Sequence, residues 1–193
     1  QRELAVTTVY VTHDQVEAMT MGDRVAVLKD GYLQQVDTPQ NLYDRPDNVF
    51  VGAFIGSPSM NLYEGSASIQ GDGGTVTIGG HTIGLDANVL AARPGLKGYD
   101  GKPGIVGIRP EDFEDAAMVD GVPEGRRLTS KVTLIEALGS EIMVHFRLDA
   151  KTVDSGDPDA VEESTSASAA NAGGRFSPRS RARMGDTIDI AAT

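Results

Sequence analysis

Of the three histidines in the chain, one stands where chemistry is plausible. His13 follows the β-branched run Val6-Thr7-Thr8-Val9-Tyr10-Val11-Thr12 and precedes Asp14-Gln15-Val16-Glu17-Ala18-Met19. An imidazole at the carboxyl end of a buried strand can reach a ligand crevice, because open α/β sheets handle ligands at that edge. There it could donate a hydrogen bond to a phosphate oxygen or hold an attacking water. A lone histidine that only completes a strand-to-helix turn fits the same spacing. His81 falls in a glycine-rich hairpin and His145 on the polar side of an alternating strand. Neither has a second ligand at metal-binding spacing, and both read as surface histidines.

Other chemistry finds little support. No cysteine is present, which excludes disulfides and thiolate metal sites, and no metal ligand set is expected. The glycines at 71, 73, 74, 79 and 80 are not followed by a helix, and no G-x-x-x-x-G-K-[ST] occurs in the 193 residues, so they read as hairpin turns. No G-x-S-x-G elbow is present. The acids Glu111, Asp112, Glu114 and Asp115 belong to a stretch, 111–124, with six acids and no base, which reads as an exposed connector rather than a carboxylate dyad. By residues alone, the chain holds no complete catalytic constellation.

The elements that must position His13 follow from pattern. Residues 6–11 predict a strand covered on both faces, as in a parallel sheet. Asp14 is a good N-cap, and Glu17 three residues later completes a capping-box pattern for a helix over 15–21 that Gly22 ends. Residues 24–28 and 32–36 predict a hairpin about the turn Asp30-Gly31. Thr38-Pro39 opens a short helix, and Pro46-Asp47-Asn48 opens another over 49–55. Gly56-Ser57-Pro58-Ser59 breaks it and marks a domain boundary, giving domains 1–56 and 57–193. From Met60 the strands are short and glycine-punctuated, at 62–69, 75–78, 81–85 and 105–108. Two longer strands, 127–138 and 141–148, follow; in the second, Ile142, Val144, Phe146 and Leu148 predict a buried face opposite Met143, His145 and Arg147. Many short strands with turns between them point to a small barrel. Residues 150–174, rich in Asp, Glu, Ser and Ala, predict a disordered insertion, and four arginines over 175–183 then reverse the charge.

Composition sets outer limits. The net charge of -11 argues against non-specific nucleic-acid binding and against docking on anionic lipid. No apolar run approaches the roughly 20 residues needed to span a bilayer. Residues 1–4 read as the tail of a helix already under way, so a fragment lacking its amino-terminal part is expected.

The residues also carry a resemblance. Val9-Tyr10-Val11-Thr12-His13-Asp14-Gln15-Val16-Glu17-Ala18-Met19, then Asp23-Arg24-Val25-Ala26-Val27-Leu28 and Gln35-Val36-Asp37-Thr38-Pro39, resemble the end of the ATPase subunit of ABC importers. The nearest group is the carbohydrate importers of the maltose, trehalose, multiple-sugar and glycerol-3-phosphate type. The likeness continues through Leu42-Tyr43, Pro46, Phe50-Val51-Gly52 and Phe54-Ile55-Gly56-Ser57-Pro58 to Met60-Asn61. Val106-Gly107-Ile108-Arg109-Pro110-Glu111 and Leu138-Gly139-Ser140-Glu141 resemble two further signatures of the regulatory domain. The upstream motifs of the family and a match for the 150–174 stretch are missing.

The resemblance implies a mainly β chain, an OB-type (TOBE-like) β-barrel regulatory domain preceded by a short α/β remnant of a P-loop nucleotide-binding domain. It assigns His13 as the switch histidine that contacts the γ-phosphate of ATP, with Mg as the companion ion in the intact parent. It places Gly56, Ser57, Pro58, Met60, Asn61, Arg109, Pro110 and Glu111 on a regulatory or dimer-contact surface. It implies a second copy of the subunit and transmembrane permease subunits as partners, with a regulatory protein as a further one and no nucleic acid. The parent would be a cytoplasmic ATPase on the inner face of the membrane, with a hinge at 56–59, and this piece alone would not hydrolyse ATP. A second expectation, from another class, is an OB-type module that binds a small anion, a sugar or a regulatory protein.

Overall fold

The computed structural model describes residues 6–156 and 170–193, in two compact units, Gln1–Ser57 and Pro58–Thr193. The first unit is built from helix α1 (Gln15–Met21), strands β1 (Val25–Lys29) and β2 (Tyr32–Asp37), and helices α2 (Pro39–Asp44) and α3 (Val49–Phe54). Each helix has the cap its sequence promises. Asp14 accepts from the Val16 and Glu17 amides, Thr38 from Asn41, and Asn48 from Val51. The β1–β2 turn puts both Asp30 (φ 51) and Gly31 (φ 81) in the left-handed region, as a two-residue primed hairpin turn requires.

Val27, Leu42, Phe50, Val51 and Ile55 form this unit's core. Phe50 stacks on Phe54 at 5.3 Å, and Lys29 Nζ sits 4.7 Å over the Phe50 ring. Gln35 is buried with both ends of its amide used: Nε2 donates to Arg45 O (3.0 Å) and Oε1 accepts from Asp47 N (2.9 Å). That single side chain fixes the connection between α2 and α3.

Residues 6–11 do not form the expected strand. Val9 and Val11 are 88% and 89% exposed, and among the described residues no strand lies beside them. A strand exists through its ladder, and a parallel one needs neighbours that these residues do not have here.

The second unit contains two antiparallel sheets around one core. The first sheet has the order β5-β4-β3-β6, from β3 (Asn61–Gln70), β4 (Gly73–Ile78), β5 (His81–Leu85) and β6 (Pro103–Ile108). Helix α4 (Ala87–Ala92) follows β5. The second sheet has the order β10-β9-β8-β11-β7, from β7 (Phe113–Asp115), β8 (Arg127–Ala137), β9 (Ile142–Leu148), β10 (Ala170–Phe176) and β11 (Thr187–Ala192). Tyr63, Ile78 and Ile83 from the first sheet pack with Phe113, Leu128, Val132, Val144, Phe146, Phe176 and Ile190 from the second. Phe113 meets Phe146 edge-on at 5.3 Å.

Three expectations are corrected here. The acidic stretch 111–124 is not wholly an exposed connector: β7 lies inside it, Phe113 is fully buried, and Asp115 is buried with its carboxylate accepting from Ser180 Oγ and the Ala117 amide. The stretch 150–174 is not wholly disordered: residues 170–174 belong to β10, which pairs with β9 along its whole length, while 157–169 lie outside the described residues. Met143, expected on a wet face, is 4% exposed. His145 on the same face is only partly exposed, and its Nε2 lies 2.9 Å from Glu136 Oε2.

Candidate functional site

His13 sits one residue before the cap of α1, and a small polar network holds the backbone on either side of it. The Thr12 hydroxyl donates to Glu17 Oε2 (2.8 Å) and accepts from the Asp14 amide (2.9 Å). The Tyr10 hydroxyl donates to the same Glu17 oxygen (3.0 Å), and this bond to a carboxylate raises the phenol above its ordinary pKa. Glu17 therefore reaches back to Tyr10 and Thr12 rather than to the Asp14 amide, which is how the capping pattern differs from the expected box. The His13 ring is exposed and, among the described residues, carries no hydrogen bond. The arrangement is a fixed corner that offers an imidazole to an external group. It contains no second catalytic residue, and no group of three or more His, Asp or Glu residues that could hold a metal ion occurs among the described residues.

The other expected positions divide by environment. Gly56 has φ +125, which favours glycine, and its amide donates to Gln15 Oε1 (3.0 Å), tying the end of α3 to α1. Ser57 and Glu111 are exposed, and Pro58 and Met60 are half-buried. Met60 lies over Gly107, where a Cβ would meet its sulfur at 2.3 Å. Arg109 and Pro110 are buried, so the guanidinium is part of the fold rather than a free surface group. Burial raises the neighbouring Asp112 carboxyl above its ordinary pKa, opposed by a backbone hydrogen bond and the charge of Arg109.

Asn61 has a role that the sequence does not announce. Its Nδ2 donates to Ile108 O (3.0 Å) and to Gly173 O (2.9 Å), and its Oδ1 accepts from the Gly173 amide (2.8 Å). Strand β10 is an edge strand, so the Asn61 amide stands in for the missing neighbour at Gly173. In this way one side chain at the start of β3 joins the two sheets of the barrel.

A barrel of short antiparallel strands, opened by Asn61 and carrying the Arg109-Pro110-Glu111 corner after β6, invites comparison with known families. Residues 56–113 match the MalK OB fold domain. The matched span holds the whole four-stranded sheet and ends at the first residue of β7. The chain is 40% identical over 197 residues to the trehalose import ATP-binding protein SugC of Mycobacterium tuberculosis, covering 99% of this chain and 48% of that protein. It is 47% identical over 153 residues to the trehalose/maltose import ATP-binding protein MalK of Thermococcus litoralis, covering 79% of this chain and 40% of that protein. It is 57% identical over 114 residues to the diacetylchitobiose uptake system ATP-binding protein MsiK of Streptomyces coelicolor, covering 59% of this chain and 28% of that protein. The chain thus spans about half the length, or less, of these relatives. The resemblance to ATP-binding subunits of sugar importers stands, as does the mainly β, OB-type architecture. Among the described residues, no helix is long and apolar enough to cross a membrane.

Proposed function

We propose that this chain is the carboxyl-terminal, regulatory part of an ATPase subunit that drives carbohydrate import. What supports the reading is that a relative named as a trehalose import ATP-binding protein aligns along 99% of the chain, through both the His13 corner and the MalK OB fold domain. In this reading residues 1–56 complete a nucleotide-binding domain and 57–193 form the regulatory domain. The subunit works as a homodimer on the inner face of the membrane, against permease subunits, and takes ATP with Mg.

His13 is then the residue that senses the γ-phosphate. Its corner is rigid because Thr12, Asp14 and Glu17 lock the backbone around it, while the imidazole faces outward. An imidazole so held can donate one hydrogen bond to a phosphate oxygen and orient water with the other nitrogen, once the rest of a nucleotide site closes over it. The test is His13→Ala in a polypeptide that carries this chain together with a P-loop nucleotide-binding domain. Turnover of ATP should fall by about 100-fold or more while nucleotide binding persists. Undiminished turnover would remove His13 from the mechanism.

A further inference from the structure

Four aspartates in the chain are followed directly by glycine, at positions 30, 72, 100 and 120. Such a pair can rearrange without an enzyme. The glycine nitrogen attacks the side-chain carboxyl carbon of the aspartate in its neutral acid form. An N–C bond forms, and the amide proton and the carboxyl hydroxyl leave together as one water. Water then opens the resulting five-membered imide. Cleavage at the side-chain carbonyl restores aspartate. Cleavage at the main-chain carbonyl leaves isoaspartate, with the backbone now running through the former side chain. Glycine favours the reaction because it sets no Cβ beside the attacking nitrogen. The fold decides whether nitrogen and carboxyl can meet.

Three of the four pairs are restrained. Asp100 Oδ1 accepts from the Ile69 amide (2.8 Å), and the Gly101 amide donates to Ala67 O (2.9 Å), so both reacting groups are engaged. Gly73 opens β4 opposite Gln70 across a two-residue turn, and its N–H closes that hairpin. Asp30 stands in the left-handed region, with φ 51. That conformation sets Cβ beside the residue's own carbonyl oxygen, and the next nitrogen lies on the other side of the same carbonyl carbon. The Asp30 carboxyl is thereby kept from the Gly31 nitrogen.

Asp120-Gly121 has none of these restraints. It lies in the connection between β7 and β8, whose flanks are anchored. The Met118 amide donates to Asp115 O (2.8 Å), and Arg127 Nε and Nη2 donate to Val122 O (3.2 and 2.9 Å). Between those anchors Asp120 and Gly121 are exposed. Among the described residues, the Asp120 carboxyl has no hydrogen bond or ion pair and the Gly121 N–H has no acceptor. The positive φ of this turn, +76, falls on Gly121 and not on the aspartate, and a Cβ built on Gly121 would meet nothing within 4 Å. We propose that Asp120-Gly121 is the site at which this chain isomerises to isoaspartate. The product places an extra backbone methylene and a free α-carboxylate directly before the Val122 anchor.

The test ages the full 193-residue chain in mildly acidic buffer, then digests it. Liquid chromatography with electron-transfer fragmentation distinguishes isoaspartyl from aspartyl peptides of equal mass. A purified isoaspartyl methyltransferase with labelled S-adenosylmethionine counts the same product independently. In the native chain, isoaspartate at 120 should exceed that at 30, 72 or 100 by about tenfold or more, because those three pairs react only after a local opening. In a sample aged in urea the four sites should differ by only a few-fold. Asp120→Glu, whose longer side chain would have to close a six-membered ring, should lose most of the methyl acceptance. It should keep its melting temperature, because the replaced side chain is exposed and unpaired. Equal yield at any of the other three sites in the native chain, the same preference for 120 in urea, or undiminished methyl acceptance by Asp120→Glu would each overturn the proposal. None of these readouts involves ATP, so the proposal stands or falls apart from the role of His13.

Discussion

Replacing Asn61 by Ala tests how the barrel is held together. The substitution removes three hydrogen bonds, to Ile108 O, to Gly173 O and from the Gly173 amide. A net intramolecular hydrogen bond contributes about 1 kcal/mol, so the loss should be about 3 kcal/mol. Water can reach an edge strand, which keeps the penalty for the stranded Gly173 groups small and makes that sum a fair centre. For a domain of this size such a loss lowers the melting temperature by about 10 °C. Urea denaturation followed by circular dichroism gives the free energy. Amide exchange gives the location: the Gly173 N–H should lose its protection in Asn61→Ala, while amides of β9 that pair with β8 keep theirs. Asn61→Asp should fare no better, because a carboxylate retains one acceptor but turns two donor bonds into contacts with carbonyl oxygens. A loss under about 1 kcal/mol, or an unchanged Gly173 exchange rate, would refute the idea that this amide serves as the neighbour of β10.

Two further substitutions probe the core and a turn. Tyr63 is buried with no partner for its hydroxyl, and burial raises its phenol above the ordinary value of 10, so Tyr63→Phe should be neutral or stabilising by about 1 kcal/mol. The unfolded chain ionises this phenol first, so native stability should decline as pH rises past 10, and more gently in Tyr63→Phe; equal slopes would contradict it. Gly79, at φ +54, has room for no side chain, because a Cβ would lie 1.5 Å from the Asp149 carbonyl oxygen, whereas a Cβ on Gly80 would meet nothing within 4 Å. Gly79→Ala should therefore cost about 2 kcal/mol or more in thermal unfolding while Gly80→Ala costs little, and a reversed order would show that the turn relaxes.

Local chemistry made much of the fold legible. Asp14, Thr38 and Asn48 cap helices as their types suggest, and Asp30-Gly31 turns the hairpin where its dipeptide says it must. What escaped was decided by distant contacts. Strand β7 reads as charge because two of its three residues are acids, yet Phe113 anchors the core and Asp115 finds its donors in Ser180, 65 positions away, and in the Ala117 amide. Strand β10 reads as low complexity because Ala and Gly have little strand preference. Its glycines are there for space: a Cβ on Gly174 would meet Phe176 at 2.6 Å, Phe113 at 3.0 Å and Phe146 at 3.3 Å. Residues 6–11 show the reverse error, since a strong strand pattern cannot form a strand without neighbours. At the candidate site, the corner that precedes the α1 cap, on which His13 stands, was legible in the Asp14 pattern. The internal duties of Asn61 and Arg109 were not, because sequence spacing carries no sign of which polar side chains the barrel encloses.

The place of β11 in its sheet has a consequence for how the polypeptide can be made. The last strand in sequence lies between β8 and β7, and it is the only strand that pairs with β7 among the described residues. On a ribosome, then, residues 113–115 wait without a partner until residues 187–192 have left the exit tunnel. The four-stranded sheet, whose pairings all fall within residues 61–108, can zip as it emerges. The second sheet cannot add β11, and β7 beyond it, until synthesis has passed residue 192. During that interval Phe113 and Leu128 are exposed on a nascent chain, a window in which holding chaperones would have apolar surface to grip.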